Sequence, residues 1–313
     1  MMNLQLLNIA GIGLFALLSL SGCNDARTAP PSGATSPDYA APVITGNIDS
    51  NEIKESSGLA YSKCQPNVLW THNDQGSGPY IFALSGDGKH LGTFKVPNAE
   101  AVDWEDISEY KDTSGKCFLY IADTGDNDEA RPQVTIYRIP EPELKPEYST
   151  SDKASAIATA PADALNLNYG EKKDNAEALL VHPQTGDIYI VTKHNKVPAH
   201  VYKLKPAFGQ SGVQTAVKIT DVTMPADPPG RITGGAISPD GKRVILCDVE
   251  NGYEFVLPAG EANFDAIWQQ KPAVVNLGAR KQGESVTYNA EGTAIYAGSE
   301  KKGSPIFVIR RNR

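Results

Sequence analysis

The sequence predicts an all-β chain folded as a β-propeller, and three observations carry that prediction. Gly (28) and Pro (22) punctuate the 313 residues, with short apolar runs between them and no long amphipathic helical pattern. One strand grammar repeats five times, at spacings of roughly 50 to 70 residues, which fits four-stranded propeller blades of which two carry insertions. The turns between first and second strands are short and hydrophilic, with Gly where a positive φ is needed: HPQTGD (182–187), SPDGK (238–242) and NAEGT (289–293).

The chain begins with a targeting segment. Residues 1–22 carry an apolar run from Ile9 to Leu20, of signal-peptide length and short for a membrane span. Leu20, Ser21, Gly22 and Cys23 follow as LSGC, which resembles the lipobox of bacterial lipoproteins. That resemblance implies cleavage before Cys23, a lipid on its thiol, and a bacterial cell-envelope location anchored to a membrane. Asn24 directly after Cys23 mildly favours the outer membrane by the usual sorting rules. Residues 23–41, rich in Pro, Ser, Ala and Thr, read as a flexible tether. The propeller domain is expected over 42–313.

The first blade reads SSGLAYS (56–62), VLWTHND (68–74), YIFALS (80–85) and HLGTFKV (90–96). The second reads WEDISEY (104–110), CFLYIAD (117–123), VTIYRIP (134–140) and, after an insertion near 141–163, ALNLNY (164–169). The third reads AEALLVH (176–182), DIYIVTK (187–193), HVYKLKP (200–206) and AVKITDV (216–222). The fourth reads TGGAISP (233–239), RVILCDV (243–249), YEFVLP (253–258) and, after an insertion near 259–272, AVVNLG (273–278). The fifth has only three strands: GESVTYN (283–289), AIYAGSE (294–300) and PIFVIRR (305–311). APVITGNID (41–49) supplies the missing one and closes the ring by joining the termini, which removes open edges. Five blades are favoured; six is the alternative count.

Charge narrows the partners. The net charge is −8 and basic residues form no long run, so binding to nucleic acid by phosphate neutralisation is excluded as a leading reading. Cations or basic partners fit better. Cys64 and Cys117 follow turns at equivalent places in successive repeats and are candidates for a disulfide, which an envelope location permits. Cys247 lies inside an apolar strand and reads as a buried thiol.

In a propeller the first strand of each blade lines the channel, and loops entering it share one mouth with loops leaving the second strand. Glu105, Glu177 and Glu284 align at first-strand starts, with Ser57 and Gly234 in the other two blades. Three glutamates on one axis repel, which raises a pKa or demands a counter-cation. Second-strand exits add the mouth candidates His72, Asp74, His194 and Asp248. Asp123, Asp126 and Asn127 in DTGDN surround a Gly and offer oxygens to a hard cation; the rival reading is a side-chain-to-backbone turn. Oxygen donors without Cys favour Ca²⁺ or Mg²⁺ over Zn²⁺, and Ca²⁺ is the expected ion. The bland reading of each acid is a turn cap or a partner for a nearby Lys or Arg. No nucleophile elbow or phosphate loop occurs.

SSGLAYS with LWTHNDQGSG (56–78), DWEDI (103–107), YIADTGDN (120–127) and NAEALLVHPQTGDIYIVTK (175–193) resemble motifs of a family of secreted bacterial β-propellers. That family is related to the SdiA-regulated, NHL and gluconolactonase-like propellers. In the regucalcin-like group, acids at the channel mouth hold a divalent cation that polarises a lactone or phosphoester. The resemblance implies such a role for Glu105, Glu177 and Glu284, although Ser57-Gly58 stands where those enzymes start blade one with Glu-Gly. The function expected is a lipid-anchored module binding a small molecule or protein partner, with Ca²⁺ at the mouth. The alternative is a metal-dependent hydrolase of a lactone, ester or phosphoester.

Overall fold

The computed structural model describes residues 36–312. The expected leader, the lipidation site Cys23 and the first part of the tether lie outside the described residues. No helix among the described residues is long and apolar enough to cross a membrane.

Each four-strand grammar folds as one antiparallel sheet. Blade 1 comprises β2 (Ser56–Tyr61), β3 (Val68–Asn73), β4 (Tyr80–Ser85) and β5 (His90–Lys95). Blade 2 begins with β6 (Trp104–Lys111), β7 (Cys117–Asp123) and β8 (Val134–Pro140). The insertion that follows carries a 3-10 turn (Pro146–Thr150) and a short β9 (Ile157–Ala158), which lies parallel to β5 and widens blade 1. β10 (Asp163–Asn168) then completes blade 2. Blade 3 comprises β11 (Ala176–Val181), β12 (Ile188–His194), β13 (Ala199–Leu204) and β15 (Val217–Val222). Between its last two strands, β14 (Gln214–Thr215) runs parallel to β10 at the edge of blade 2. The short β16 (Gly230–Arg231) pairs with the end of β12. Blade 4 comprises β17 (Gly234–Ile237), β18 (Arg243–Cys247), β19 (Asn251–Val256) and β20 (Ala273–Asn276). Blade 5 comprises β21 (Gly283–Tyr288), β22 (Ala294–Ser299) and β23 (Pro305–Arg310), and β1 (Val43–Asn47) is its outer strand. The protein is thus a five-bladed propeller closed by its N-terminal strand, and the six-blade count is excluded.

Burial follows the strand order. β3, β11 and β21 are buried along their full length, whereas β1 and β15 are mostly exposed. Inner strands are covered on both faces by neighbouring blades, which explains their continuous apolar runs. One apolar cluster fills each gap between neighbouring blades. Trp70 and Trp104 belong to the cluster between blades 1 and 2, Leu180, Val191, Leu246 and Trp268 to that between blades 3 and 4. Leu69, Phe82 and Ile306 join blade 5 to blade 1.

Innermost strands meet closely around the axis. A Cβ on Gly58 would lie 2.4 Å from the Ile107 nitrogen, so only Gly permits this approach of blade 1 to blade 2. Side chains stitch the ring: Ser57 Oγ donates to the Glu105 carbonyl (2.7 Å), and Thr233 Oγ1 donates to the Gly283 carbonyl (3.0 Å). Asp106, 1% exposed, accepts from the backbone nitrogens of Ile107 and Leu179, both at 2.8 Å, and so ties blade 2 to blade 3. Away from the mouth, the axial cavity of about 20 Å³ is bounded by side chains of all five innermost strands and has room for about one water.

Cys64 and Cys117 are bonded, joining the first turn of blade 1 to the second strand of blade 2. Cys247 is free and buried. The tether ends earlier than its composition suggests. Tyr39 donates to Glu254 Oε1 at 2.5 Å, the Ala40 nitrogen donates to the Arg310 carbonyl at 2.8 Å, and Ser36 is buried. Residues 36–41 are therefore docked on blades 4 and 5, through backbone hydrogen bonds to Val274, Arg310 and Asn312 and the Tyr39 hydroxyl on the buried Glu254 carboxylate.

Candidate functional site

Register explains why the three glutamates point together. In blades 2, 3 and 5 the pairing of the innermost strand slips by one residue, between Trp104 and Asp106, between Ala176 and Ala178, and between Gly283 and Ser285. The skipped residues are Glu105, Glu177 and Glu284. A bulge leaves its extra residue unpaired and re-aims the side chain. Blade 4, with Gly234 at this position, has no slip.

The three glutamates are 5%, 4% and 7% exposed, and they interact around one cation that the sequence reading overlooked, Lys193. Lys193 Nζ lies 2.7 and 2.6 Å from the two carboxylate oxygens of Glu177. Asn175 Nδ2 adds a hydrogen bond to Glu177 Oε1 at 3.1 Å. Burial opposes the charge on Lys193, but Glu177, Glu284 and Glu105 outweigh it and hold the ammonium above its usual range.

One lysine does not neutralise this mouth. Asp74, Asp103 and Glu105 bring carboxylate oxygens within 4.8 Å of one another. Burial, then the charges of Glu177, Asp74 and Asp103, push Glu105 well above the carboxylate range. Burial and the charge of Asp74 push Asp103 up to about 6. Burial pushes Glu284 up to about 8, with Glu177 and Glu300 adding to it and Lys193 opposing. Burial also raises Glu177 despite its ion pair. Gly125 makes room for these groups, since a Cβ there would lie 2.2 Å from Glu105 Oε1 and 2.4 Å from Asp103 Oδ2.

Not every expected residue joins the cluster. The oxygens of Asp123, Asp126 and Asn127 are engaged by other protein groups, some in their own loop and some in neighbouring segments. Asp123 accepts from the Val102 and Asp103 nitrogens and pairs with Arg131 at 2.9 Å. Asp126 accepts from the Ala130 and Arg131 nitrogens, both at 2.8 Å. Asn127 Oδ1 accepts from Asn175 Nδ2 at 3.3 Å. These oxygens already carry partners, so the turn reading holds for this loop. His72 is fully buried against Trp104, not open to the mouth, and burial lowers its pKa to about 4. Asp248 forms a turn, accepting from the Glu250 and Asn251 nitrogens at 2.7 and 2.6 Å and from the Tyr253 hydroxyl. His194, next to Lys193 in β12, instead engages Asp174 at 3.4 Å and the Pro198 carbonyl at 2.9 Å.

Strand pairing and the acid-lined mouth define the class: a five-bladed β-propeller whose channel entrance gathers carboxylates around a single lysine. No protein-family model matches the chain, and no curated protein matches it. Among solved structures, a similar chain is a gluconolactonase from Xanthomonas campestris described as important in glucose secondary metabolic pathways. It is 11% identical with a TM-score of 0.42, over 91% of this chain and 99% of that one. The propeller assignment rests on the strand pairing itself.

Proposed function

We propose that the protein is a binding module whose channel mouth takes up a divalent cation, Ca²⁺ in the first place, together with a ligand that completes its coordination. The observation that supports this best is the Asp74, Asp103 and Glu105 set, three carboxylates from two blades with oxygens within 4.8 Å. A donor set made only of oxygen suits a hard cation. Ca²⁺ takes about six to eight oxygens, so three carboxylates leave positions for water and for ligand oxygens. Lys193 engages Glu177 on the other side of the mouth and limits how much more positive charge the site takes. Titration calorimetry with Ca²⁺ tests the reading. Saturable binding that is lost in Glu105→Gln supports it; equal binding in that variant removes Glu105 from the site.

A second reading, a metal-dependent hydrolase of a lactone, ester or phosphoester, draws support from the spread of proton affinities. Asp103 at about 6 and Glu284 at about 8 would sit, respectively, mainly ionised and mainly protonated at neutral pH. A base and an acid held apart by environment are what general acid–base chemistry needs. Turnover of a panel of lactones, aryl esters and phosphoesters that requires Ca²⁺ and falls in Glu284→Gln would select this reading over pure binding.

On either reading the propeller is tethered to the bacterial envelope through lipidated Cys23, with the outer membrane preferred. The LSGC run at 20–23 supports this. Cys23→Ser should then move the protein from the membrane fraction to the soluble one, and an unchanged fractionation counts against it.

A further inference from the structure

Blade 3 carries a second cluster with a different donor chemistry. Asp174 precedes β11, His194 ends β12 and His200 lies in β13. One ligand atom from each falls within 4.8 Å of the others. We propose that Asp174, His194 and His200 form a site for a transition-metal ion of Zn²⁺ type, separate from the oxygen-lined mouth.

The hydrogen-bond geometry carries the proposal. His194 Nδ1 lies 2.9 Å from the Pro198 carbonyl oxygen. A carbonyl only accepts, so Nδ1 holds the hydrogen. In the neutral ring Nε2 then turns its lone pair toward Asp174 Oδ1, 3.4 Å away. Two acceptors would face each other there, and either a second proton on the ring or a metal ion between the two atoms joins them; the metal titration below separates the two. His200 repeats the pattern, with Nδ1 3.1 Å from Asp174 Oδ2 and Nε2 3.6 Å from Asp221 Oδ1. Whichever nitrogen holds the hydrogen in the neutral ring, the other faces a carboxylate.

The surroundings resemble those of metal-binding histidines. Such a histidine characteristically donates its second ring hydrogen to a carbonyl or carboxylate, which fixes the ring. Pro198 does this for His194. Tyr202 orients the carboxylate, donating to Asp174 Oδ2 at 2.5 Å. The two imidazole rings stand nearly perpendicular, at 85°, with centroids 4.5 Å apart. Asp174 and His194 are buried, while the His200 side chain is 13% exposed beside Asp221 at 52%, which gives an ion a way in. Imidazole nitrogens with one carboxylate suit Zn²⁺, Cu²⁺ or Ni²⁺ better than Ca²⁺, and three protein ligands leave a position open.

The test titrates the chelator-stripped chain with Zn²⁺ against a chromophoric competitor, in excess Ca²⁺ so that the mouth acids are engaged. The expected result is one Zn²⁺ per chain. In His194→Gln and in His200→Gln, affinity should fall by more than the about 10- to 100-fold that loss of an outer partner costs. Absence of stoichiometric Zn²⁺, or wild-type affinity in both variants, overturns the proposal. Should His194→Gln not fold, histidine resonances of the wild type decide: those of His194 and His200 must move on adding Zn²⁺, and unmoved resonances overturn it.

Discussion

Lys193→Met is the most informative single perturbation of the mouth. At an effective dielectric constant of 20, unit charges 2.6 Å apart attract by about 6 kcal/mol, before the cost of removing both from water. Breaking a buried pair from one side costs about 3–5 kcal/mol, because the remaining charge is left without a partner. Glu177 is 5% exposed at its side chain but Lys193 is 22% exposed, so the low end applies, about 3 kcal/mol. The sign with pH follows from proton linkage. Without Lys193, the Glu177 carboxyl rises further above its unfolded value, so the folded state holds a proton that the unfolded state has released. Stability then falls as pH climbs from the ordinary carboxylate range through that raised pKa. Urea unfolding in chelator should therefore show a loss of about 1 kcal/mol at pH 5, from lost hydrogen bonds, and about 3 kcal/mol at pH 8. The same variant should bind Ca²⁺ more tightly, since a competing positive charge is gone. A loss that is equal at both pH values, or weaker Ca²⁺ binding, would refute the reasoning.

Three further outcomes are expected. Gly125→Ala places a methyl 2.2 Å from Glu105 Oε1; it should abolish Ca²⁺ binding while costing about 1–3 kcal/mol of stability, read by calorimetry and urea unfolding. Opening the Cys64–Cys117 bond, which spans 53 residues, should cost about 4 kcal/mol by loop-closure entropy, measured as the shift between oxidised protein and Cys64→Ala with Cys117→Ala. Tyr39→Phe removes the hydrogen bond to Glu254 and should cost about 1.5–3 kcal/mol, with protease cleavage near residue 39 rising in step.

The architecture was legible because blades repeat. First strands, turns and second-strand exits recur in one order, so each blade checks the next, and the fifth blade's missing strand points to residues 41–49. The short β9, β14 and β16 escaped notice, since two-residue pairings leave no periodicity. Glu105, Glu177 and Glu284 were found because alignment across blades places them alike, and the bulges that turn them inward occur where that alignment falls. Lys193 was missed although the signal was present. It follows the last residue of its second strand that pairs with the innermost strand, as Asp74 and Glu300 do in blades 1 and 5. A counter-charge at that register is as legible as an acid or a histidine. The loop of Asp123 and Asp126 misleads for the opposite reason: an Asp-Thr-Gly-Asp sequence does not reveal that Arg131 and four backbone nitrogens already occupy its oxygens. Asp174 lies in the segment before β11 and His200 in β13, and no local pattern announces that β13 brings His200 to Asp174.

On the proposed function, the mouth acids hold protons that a divalent cation displaces. Calorimetric titration with Ca²⁺ at pH 7, repeated in buffers of different ionisation enthalpy, measures that exchange directly. With Glu284 at about 8 and Glu105 raised well above its usual range, Ca²⁺ binding should release about one proton or more per ion. Binding heats that do not depend on the buffer, or no binding at all, would rule out that exchange.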